Sequence, residues 1–473
     1  MGGGYSYGDD SPIAAFATVP GNSALTTIRC SGKGALELAE KIFSAPEKLR
    51  QAAGNTVLHG WIVAHNNEKI DEVLFSVFRA PKSYTGEDSV DISCHGGSAA
   101  GQGVMAALRA AGFRDALPGE FTFRAFMNGK LDLSRSESVM ELVSAKTDAG
   151  RRHAVNRLSG ALEHEINSIK KQLVAILSGV EIFLDYSEDE IGADADETAG
   201  RFSGQRLVRE ALTRLQKLAQ SWRRERIYQE GILAVIAGRP NAGKSSLFNL
   251  LLREERSIVT ETPGTTRDWI EAWVSIEGIP LRLADTAGLR ESIDPVEKLG
   301  MERSRALLEE AELVLYLIDG VEGVTAGDRE FIDGLHGPQS RPLLILWNKA
   351  DIAPMPPLSF TANRLMNIST LSVSAKTGEG ITELTAAIGK AVILPAAGED
   401  TQDPALGSAR QKNLVEAAAA ALEEALALAE KGEPLDLIAP LLREAVNSLG
   451  EITGEVSTSD ILEEMFSKFC VGK

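Results

Sequence analysis

The chain has 473 residues, 44% hydrophobic and 25% charged, with a formal net charge of −18. This is the composition of a soluble globular protein of about three domains, and its acidity argues against indiscriminate binding to nucleic acid or to an anionic membrane. The three cysteines, Cys30, Cys94 and Cys470, are odd in number and far apart. They exclude a disulfide framework and suit a reducing compartment. No apolar run approaches the ~18 residues of a membrane span. The first ten residues lack the basic and apolar regions of a signal peptide. The expectation is a cytoplasmic protein with no membrane association.

In chain order, Ala14 to Val19 and Ala24 to Cys30 read as strands about Pro20-Gly21-Asn22, and Ala35 to Phe43 has helical spacing. Val57 to Val63 and Glu72 to Phe78 alternate, with Asn66-Asn67 between them as a hairpin signal. Asp88 to Ser93 is another strand, and Ala99 to Ala111 is a helix closed by Gly112. These elements predict a mixed α+β domain over residues 1–128. Within it, Pro81-Lys-Ser-Tyr84-Thr-Gly-Glu87-Asp88 joins two strands and carries an aromatic, a turn glycine and two carboxylates. Local chemistry alone reads it as a solvated loop. Cys94 and His95 have no second histidine or cysteine nearby, so no metal site is expected there.

Phe123 to Leu133 reads as a loop punctuated by Asn128-Gly129. Helical spacing then runs from Ser134 to about Phe183, and an acidic break follows at Tyr186 to Gly192. A second helix is predicted from about Glu197 to Gln229. It carries Arg206, Arg209, Arg214, Arg223, Arg224 and Arg226, read as a solvated face. Residues 129–229 are the first part of a helical domain.

Gly238-Arg-Pro-Asn-Ala-Gly243-Lys244-Ser245 matches G-x-x-x-x-G-K-[ST]. It lies between an apolar strand, Gly231 to Ala237, and a helix beginning at Ser246, the context that a phosphate-binding loop requires. Asn241, Ala242, Gly243, Lys244, Ser245 and Ser246 are the candidate phosphate contacts. Lys244 reaches the β- and γ-phosphates, and the Ser245 hydroxyl ligates Mg²⁺. Further on, Thr260-Glu-Thr262-Pro-Gly-Thr265-Thr266-Arg-Asp offers a threonine to complete the Mg²⁺ shell. Asp285-Thr-Ala-Gly288 follows a strand end, so that Asp285 holds Mg²⁺ through water and the Gly288 N–H meets the γ-phosphate. Asn348-Lys349-Ala-Asp351 closes another apolar strand. The Asp351 carboxylate matches the paired donors on guanine, which adenine lacks. Ser374-Ala375-Lys376 supplies an N–H for guanine O6. Together these segments predict a GTP-binding domain over 230–395.

The residue after Asp285-Thr-Ala-Gly288 is Leu289, where a Ras-like protein has a glutamine that orients water. Leu289 cannot hydrogen-bond. A K⁺ ligated by the Asn241 amide and oxygens of Thr260 to Thr265 would offset charge between the β- and γ-phosphates. Glu291, Asp294 and Glu297 are the candidate carboxylates for placing the water. After a linker at Pro395 to Asp400 come Ala-rich helices at about 413–431 and 435–449, a last helix from Ser459 to Phe469, and the ending Cys470-Val-Gly472-Lys473. Residues 396–473 are the second part of the helical domain, with the GTP-binding domain inserted into it.

The chain resembles the MnmE (TrmE) family of tRNA-modifying GTPases over essentially its whole length. The likeness rests on Pro81 to Asp88, Cys94-His-Gly-Gly97, Pro118-Gly-Glu-Phe-Thr, Asn128 to Leu133, Gly238 to Ser246, Gly264 to Asp268, Asp285 to Glu291 and the terminal Phe-Cys-Val-Gly-Lys. The resemblance implies a Ras-like P-loop domain inserted into an all-α domain and preceded by an α+β domain. It implies a homodimer through the N-terminal domain, which would bind a tetrahydrofolate derivative (5-formyl or 5,10-methylene). It also implies a heterotetramer with the FAD protein MnmG, and installation of a carboxymethylaminomethyl group on C5 of the wobble uridine of certain tRNAs. It points to Arg29, Glu87, Lys130 and Lys473 for folate, to Asn241, Thr260, Thr262 and Thr265 for K⁺, and to Ser245 and Thr266 for Mg²⁺. Glu297 becomes the water-orienting catalytic carboxylate, and Cys470 a candidate for the modification chemistry. The competing expectation is a ribosome-assembly GTPase, a switch that would carry an appended basic RNA-binding domain.

Overall fold

The computed structural model describes residues 7–19, 21–64, 68–185, 204–254, 257–258, 271–285, 306–334, 342–357, 368–392, 403–456 and 459–472. The chain divides into two compact units. One comprises Met1–Met140, Arg157–Gln216 and Arg410–Lys473; the other comprises Glu141–Asn156 and Lys217–Ala409.

In the first unit, β1 (Ile13–Phe16), β2 (Leu25–Ser31), β3 (Thr56–Val63), β4 (Lys69–Phe78), β5 (Ser89–His95) and β6 (Arg114–Asp115) form one six-stranded sheet in the order β3-β4-β5-β2-β1-β6. Period-two alternation fixes its register. Val73, Phe75 and Val77 of β4 are buried while Leu74 stands exposed on the opposite face. Helix α3 (Ser98–Ala111) packs Val104, Met105 and Leu108 into the same core. Gly112, at φ 119°, ends it and donates back to the Leu108 and Arg109 carbonyls. Helix α1 (Ala35–Glu40) stops short of Phe43, and α2 (Pro46–Gln51) follows it. Phe43 instead forms a bridge with Ile62 and packs on Phe75 at 4.3 Å between ring centroids, so side-chain burial overrides helical spacing there.

Two expectations are corrected. The stretch from Phe123, read as a loop, is largely helical: α4 runs Glu120–Met127. Burial of Phe121 and Ala125 and the i,i+4 pair Glu120–Arg124 support it, and Asn128-Gly129 ends it rather than marking a loop throughout. The continuous helix expected from Ser134 is three helices, α5 (Leu133–Ser144), α6 (Asp148–Leu158) and α7 (Ala161–Asp185). The breaks have local causes. The Thr147 hydroxyl accepts the Gly150 N–H at 3.1 Å as an N-cap, and Gly160 turns the chain at φ 97°. Helix α8 runs Gln205–Glu230; the expected acidic break and the start of the second predicted helix lie outside the described residues.

The C-terminal helices are Ala409–Lys431, Leu435–Thr453 and Ser459–Ser467. Arg410 forks onto Glu137 of α5 at 2.9 and 3.0 Å and donates to the Glu451 carbonyl at 2.9 Å, satisfying the end of Leu435–Thr453. Phe466 is fully buried with Leu133, Leu462 and Phe469, and its ring meets Phe123 edge-on at 5.4 Å. The C-terminal segment is thereby anchored on α4.

The second unit is built on β7 (Ile232–Gly238), β8 (Ser257–Ile258), β9 (Glu271–Ile276), β10 (Ile279–Asp285), β11 (Leu313–Asp319), β12 (Leu343–Asn348) and β13 (Ile368–Ser372), in the order β13-β12-β11-β7-β10-β9-β8. β11 and β12 are buried along their whole length, the continuous apolar runs of parallel strands covered on both faces. β9 and β10 form a hairpin whose turn residues, Glu277 and Gly278, both have positive φ, matching the right-handed twist of the strands. Helices α9 (Lys244–Glu254) and Ile381–Val392 contribute Leu247, Phe248, Leu251, Leu384 and Ile388 to one core. Gly238, Asp285, Asp319 and Asn348 end β7, β10, β11 and β12, at the carboxyl edge where α/β sheets carry their sites.

We expect Phe466→Ala to remove a fully buried ring and destabilise the first unit by about 3–5 kcal/mol. A denaturant midpoint unchanged from that of the original chain would contradict this anchoring role.

Candidate functional site

The phosphate loop forms because β7 is committed to the core and must turn sharply. A Cβ on Gly238 would lie 2.5 Å from the Leu317 carbonyl oxygen, and one on Gly243 would lie 2.2 Å from Asn348 Nδ2, so glycine is required at both positions. Asn241 sits between them at φ 66°, a left-handed conformation that asparagine tolerates better than most residues. Helix α9 starts at Lys244, and the positive end of its dipole suits an anion. Lys244 is buried and donates to the Gly238 and Arg239 carbonyls at 2.9 and 2.8 Å. The Ser245 hydroxyl donates to Asp285 Oδ2 at 2.8 Å. A hydroxyl and a carboxylate so placed are the hard oxygen donors that Mg²⁺ takes, so these residues fit that ion.

At the other end of the site, Asn348 is 2% exposed. It donates to the Ala242 carbonyl at 2.7 Å and accepts the Ala375 N–H at 2.9 Å, clasping the phosphate loop to the turn after β13. Of the three backbone amides in Ser374-Ala375-Lys376, that of Ala375 is therefore engaged by Asn348 here. Asp351 accepts the Ser374 hydroxyl on Oδ1 at 2.8 Å, which orients a carboxylate open to solvent. Lys376 and Ser246 are exposed, and Ala242 is buried. Lys349 Nζ pairs with Asp319 Oδ2 at 2.5 Å. Burial pushes the Asp319 carboxyl up, but the Lys349 ammonium and the Val321 N–H outweigh it and hold the group below its ordinary range. The sequence reading missed Asp319. Its signal was a lone acid closing an apolar strand.

In the first unit, Arg29 of β2 pairs with Asp91 of β5 at 3.1 Å and lies 5.5 Å from the Tyr84 ring centroid and 5.9 Å from that of Phe121. Glu87 accepts the Ser31 hydroxyl at 2.9 Å and Arg124 Nη1 at 3.2 Å. Lys130 donates to the Pro81 carbonyl at 3.0 Å. A Cβ on Gly86 would lie 3.0 Å from Asn128 Cβ and 3.4 Å from Lys130 Cγ, so this glycine lets the two loops approach. The segment Pro81 to Asp88 is thus a fixed wall rather than a solvated loop. Aromatic faces, a guanidinium and an anchored carboxylate suit a flat heterocycle bearing N–H donors. The C-terminal tail meets this unit: Gly119 N–H donates to the Cys470 carbonyl at 3.2 Å, and a Cβ on Gly472 would lie 2.3 Å from the Phe16 carbonyl oxygen. The Cys470 side chain is exposed.

Thr260, Thr262, Thr265, Thr266, Gly288, Leu289, Glu291, Asp294, Glu297 and Lys473 lie outside the described residues. Cys94 is buried, which pushes its thiol up to about 11, and His95 pairs instead with Asp71 at 2.7 Å. No cluster of three or more metal-ligating side chains occurs among the described residues. The α8 arginines are engaged in part: Arg214 forks onto Glu165, Arg209 pairs with Glu430, and Arg226 with Glu312. Among the described residues no helix is long and apolar enough to cross a membrane.

A glycine-bounded phosphate cradle at the end of β7, joined through Asn348 to a turn bearing the exposed Asp351 carboxylate, is the arrangement of a P-loop GTP-binding protein. Comparison with known families narrows this. The model of the MnmE helical domain matches residues 133–470, and that of the GTP-binding protein TrmE N-terminus matches residues 12–130. The tRNA modification GTPase MnmE of Treponema denticola is 43% identical over 484 aligned positions, covering 100% of this chain and 99% of that one. That of Symbiobacterium thermophilum is 41% identical, covering 98% and 100%, and that of Carboxydothermus hydrogenoformans 40%, also covering 98% and 100%. The chain belongs to the MnmE family of tRNA modification GTPases.

Asp351→Asn replaces one acceptor oxygen by a donor amide. We expect GTP affinity to fall about 10- to 150-fold, the loss from a mismatched charged hydrogen bond, while xanthosine triphosphate, which offers an acceptor in place of the exocyclic amine, gains. Competition binding of the two nucleotides checks this.

Proposed function

We propose that this chain is a K⁺-dependent GTPase which, with the FAD protein MnmG, installs a carboxymethylaminomethyl group at C5 of the wobble uridine of certain tRNAs in the cytoplasm, using a one-carbon unit from a tetrahydrofolate derivative. The observation that carries the reading is the coexistence of two sites in one chain. One is the phosphate loop with its Ser245–Asp285 pair and Asn348 clasp. The other is the wall of Arg29, Tyr84, Glu87 and Phe121, with the Cys470 backbone held at Gly119 two residues from Phe121. A switch protein of the ribosome-assembly type has no use for the second.

In this reading Lys244 and the loop amides hold the phosphates. Ser245 with Thr266 ligates Mg²⁺, which when bound neutralises charge on the β- and γ-phosphate oxygens. Asp285 orients that shell, and Asp351 selects guanine with Lys349, Ser374 and Lys376 around it. Asn241, Thr260, Thr262 and Thr265 supply oxygen donors for K⁺, and Glu297 orients the attacking water in place of the glutamine that Leu289 replaces. Arg29, Glu87, Lys130 and Lys473 hold the folate, and Cys470 acts in the modification. Leu25, Val57 and Leu74 are 60%, 62% and 45% exposed on one face of the first sheet, which supports a homodimer through that face. The MnmG heterotetramer would build on that dimer.

GTP turnover in KCl is expected to exceed turnover in NaCl at equal ionic strength, and Asn241→Ala is expected to abolish the difference. Equal rates in the two salts for the unaltered chain would sink the cation-assisted mechanism. Independently, 5-formyltetrahydrofolate at about 100 times its Kd is expected to add about 2.7 kcal/mol to the stability of the unit that binds it. The result would be a higher thermal midpoint, with the increment lost in Arg29→Ala; a midpoint indifferent to every reduced folate would remove the folate assignment.

A further inference from the structure

The geometry points to Arg124 as a positioning residue for Glu87: its guanidinium fixes the Glu87 carboxylate in the one orientation in which that group can accept the N–H donors of a bound pterin-type ring. This rests on the folate reading above and adds residues that the sequence reading passed over. Arg124 is 5% exposed and lies on α4. Its donors divide into two sets. Nε and Nη2 donate to Glu120 Oε1 at 3.3 and 2.9 Å, and Nη2 also reaches the Asp9 and Ser11 carbonyls at 3.0 and 2.8 Å. Nη1 faces Glu87 alone among its hydrogen-bond partners, at 3.3 Å to Oε1 and 3.2 Å to Oε2.

Each part of this arrangement is held from behind. Glu120 is fully buried and is itself gripped by both Arg114 terminal nitrogens, at 2.7 and 2.5 Å, and by the Leu117 N–H at 2.8 Å. It cannot rotate away from Arg124 without leaving a buried charge unpaired. Space for the fork is cleared by Gly32, at φ 136°, where a Cβ would lie 3.2 Å from Arg124 Nη1 and 2.7 Å from Pro12 Cα. Ser31, fully buried beside it, donates to Glu87 Oε2. A carboxylate offers about four acceptor positions. Ser31 and Arg124 engage it from the protein side, while 22% of the side chain stays open to solvent. An anchored inner side and an open outer side suit two N–H donors of a 2-amino-4-oxopyrimidine edge, the pattern that Asp351 meets in guanine. Lysine could supply the charge at position 124 but not a planar fork that faces Glu87 with one nitrogen and Glu120 with the others.

The test is a double-mutant cycle on 5-formyltetrahydrofolate affinity by titration calorimetry, in the full chain, with thermal midpoints recorded alongside. Arg124→Lys and Glu87→Gln are each expected to weaken binding about tenfold or more, and the double variant to bind no worse than Glu87→Gln alone. Additive losses would mean that Arg124 supports the fold and does not act through Glu87, and would overturn the inference. So would undiminished affinity in Arg124→Lys. If Arg124→Lys does not fold, Arg124→Gln, which keeps an N–H₂ donor without the charge, enters the same cycle with the same criteria. Absence of binding by the unaltered chain would overturn the folate reading, and this inference with it; binding by the unaltered chain with additive losses would overturn only this inference.

Discussion

A polar group taken out of water must find a partner inside the protein, and both candidate sites are organised by side chains under that constraint. In the second unit it is Asn348. Its amide is buried, and its two described hydrogen bonds go to backbone groups of different loops, the Ala242 carbonyl and the Ala375 N–H. Satisfying one side chain therefore sets the distance between the phosphate loop and the turn that carries Ser374 and Lys376. The same amide explains Gly243, whose Cβ would collide with Asn348 Nδ2. In the first unit it is Glu120. A carboxylate with no solvent exposure has to be paired, and the pairing recruits Arg114 and Arg124. Those arginines in turn order the Asp9 to Ser11 segment and Glu87. Replacing such a network by apolar side chains can be neutral for stability, whereas removing one member is costly. Its presence beside a ligand-type wall is better explained by the orientation it imposes than by the energy it contributes.

The same constraint separates what the sequence made legible from what it did not. Strands β7 and β12 were readable because each is a short apolar run, and the phosphate loop because glycine and lysine occur at fixed spacing. β13 has four partly buried positions and one exposed, no clean alternation, and lies at the edge of the described sheet beside β12, so nothing local announces it. In α4, Asn128-Gly129 is a true stop signal, but it carries no information about Phe123 to Met127 before it, which are helical. Burial of Phe121 and Ala125 holds that helix in place, but its other buried positions include the paired Glu120 and Arg124, and charged residues carry no periodic apolar signature. The break between α5 and α6 likewise depends on one threonine hydroxyl capping Gly150. The network of Arg114, Glu120 and Arg124 had no sequence signal at all. Its members span 11 positions across β6 and α4 and meet only once the N-terminal segment is folded against them.

The α8 arginines illustrate how charge is used in an acidic chain. Arg209, Arg214 and Arg226 are not a free basic stripe; each has a glutamate partner from another element. Exposed and half-exposed pairs of this kind contribute little to stability, of the order of 0–1 kcal/mol, but each sets a negative charge beside a positive one at those three positions.

Backbone conformation adds a last constraint, and it concerns the nucleotide site alone. Of the four non-glycine residues with positive φ among the described residues, Asn241 and Lys349 lie in that site. Asparagine accepts the left-handed region readily, but lysine does not, and such a residue persists only where its surroundings over-determine it. Lys349 meets that requirement. Its carbonyl accepts the Ile352 and Ala353 N–H groups at 3.0 Å, its ammonium is paired to Asp319, and Asp319 is held by the Val321 N–H. The turn that presents Asp351 is therefore fixed from both its backbone and its side chain. A carboxylate that must read a pair of donors on a flat ring gains selectivity from such rigidity, because a misplaced donor cannot be accommodated by moving the acceptor. Glu87 is held by a different route, with a guanidinium and a hydroxyl in place of a strained turn.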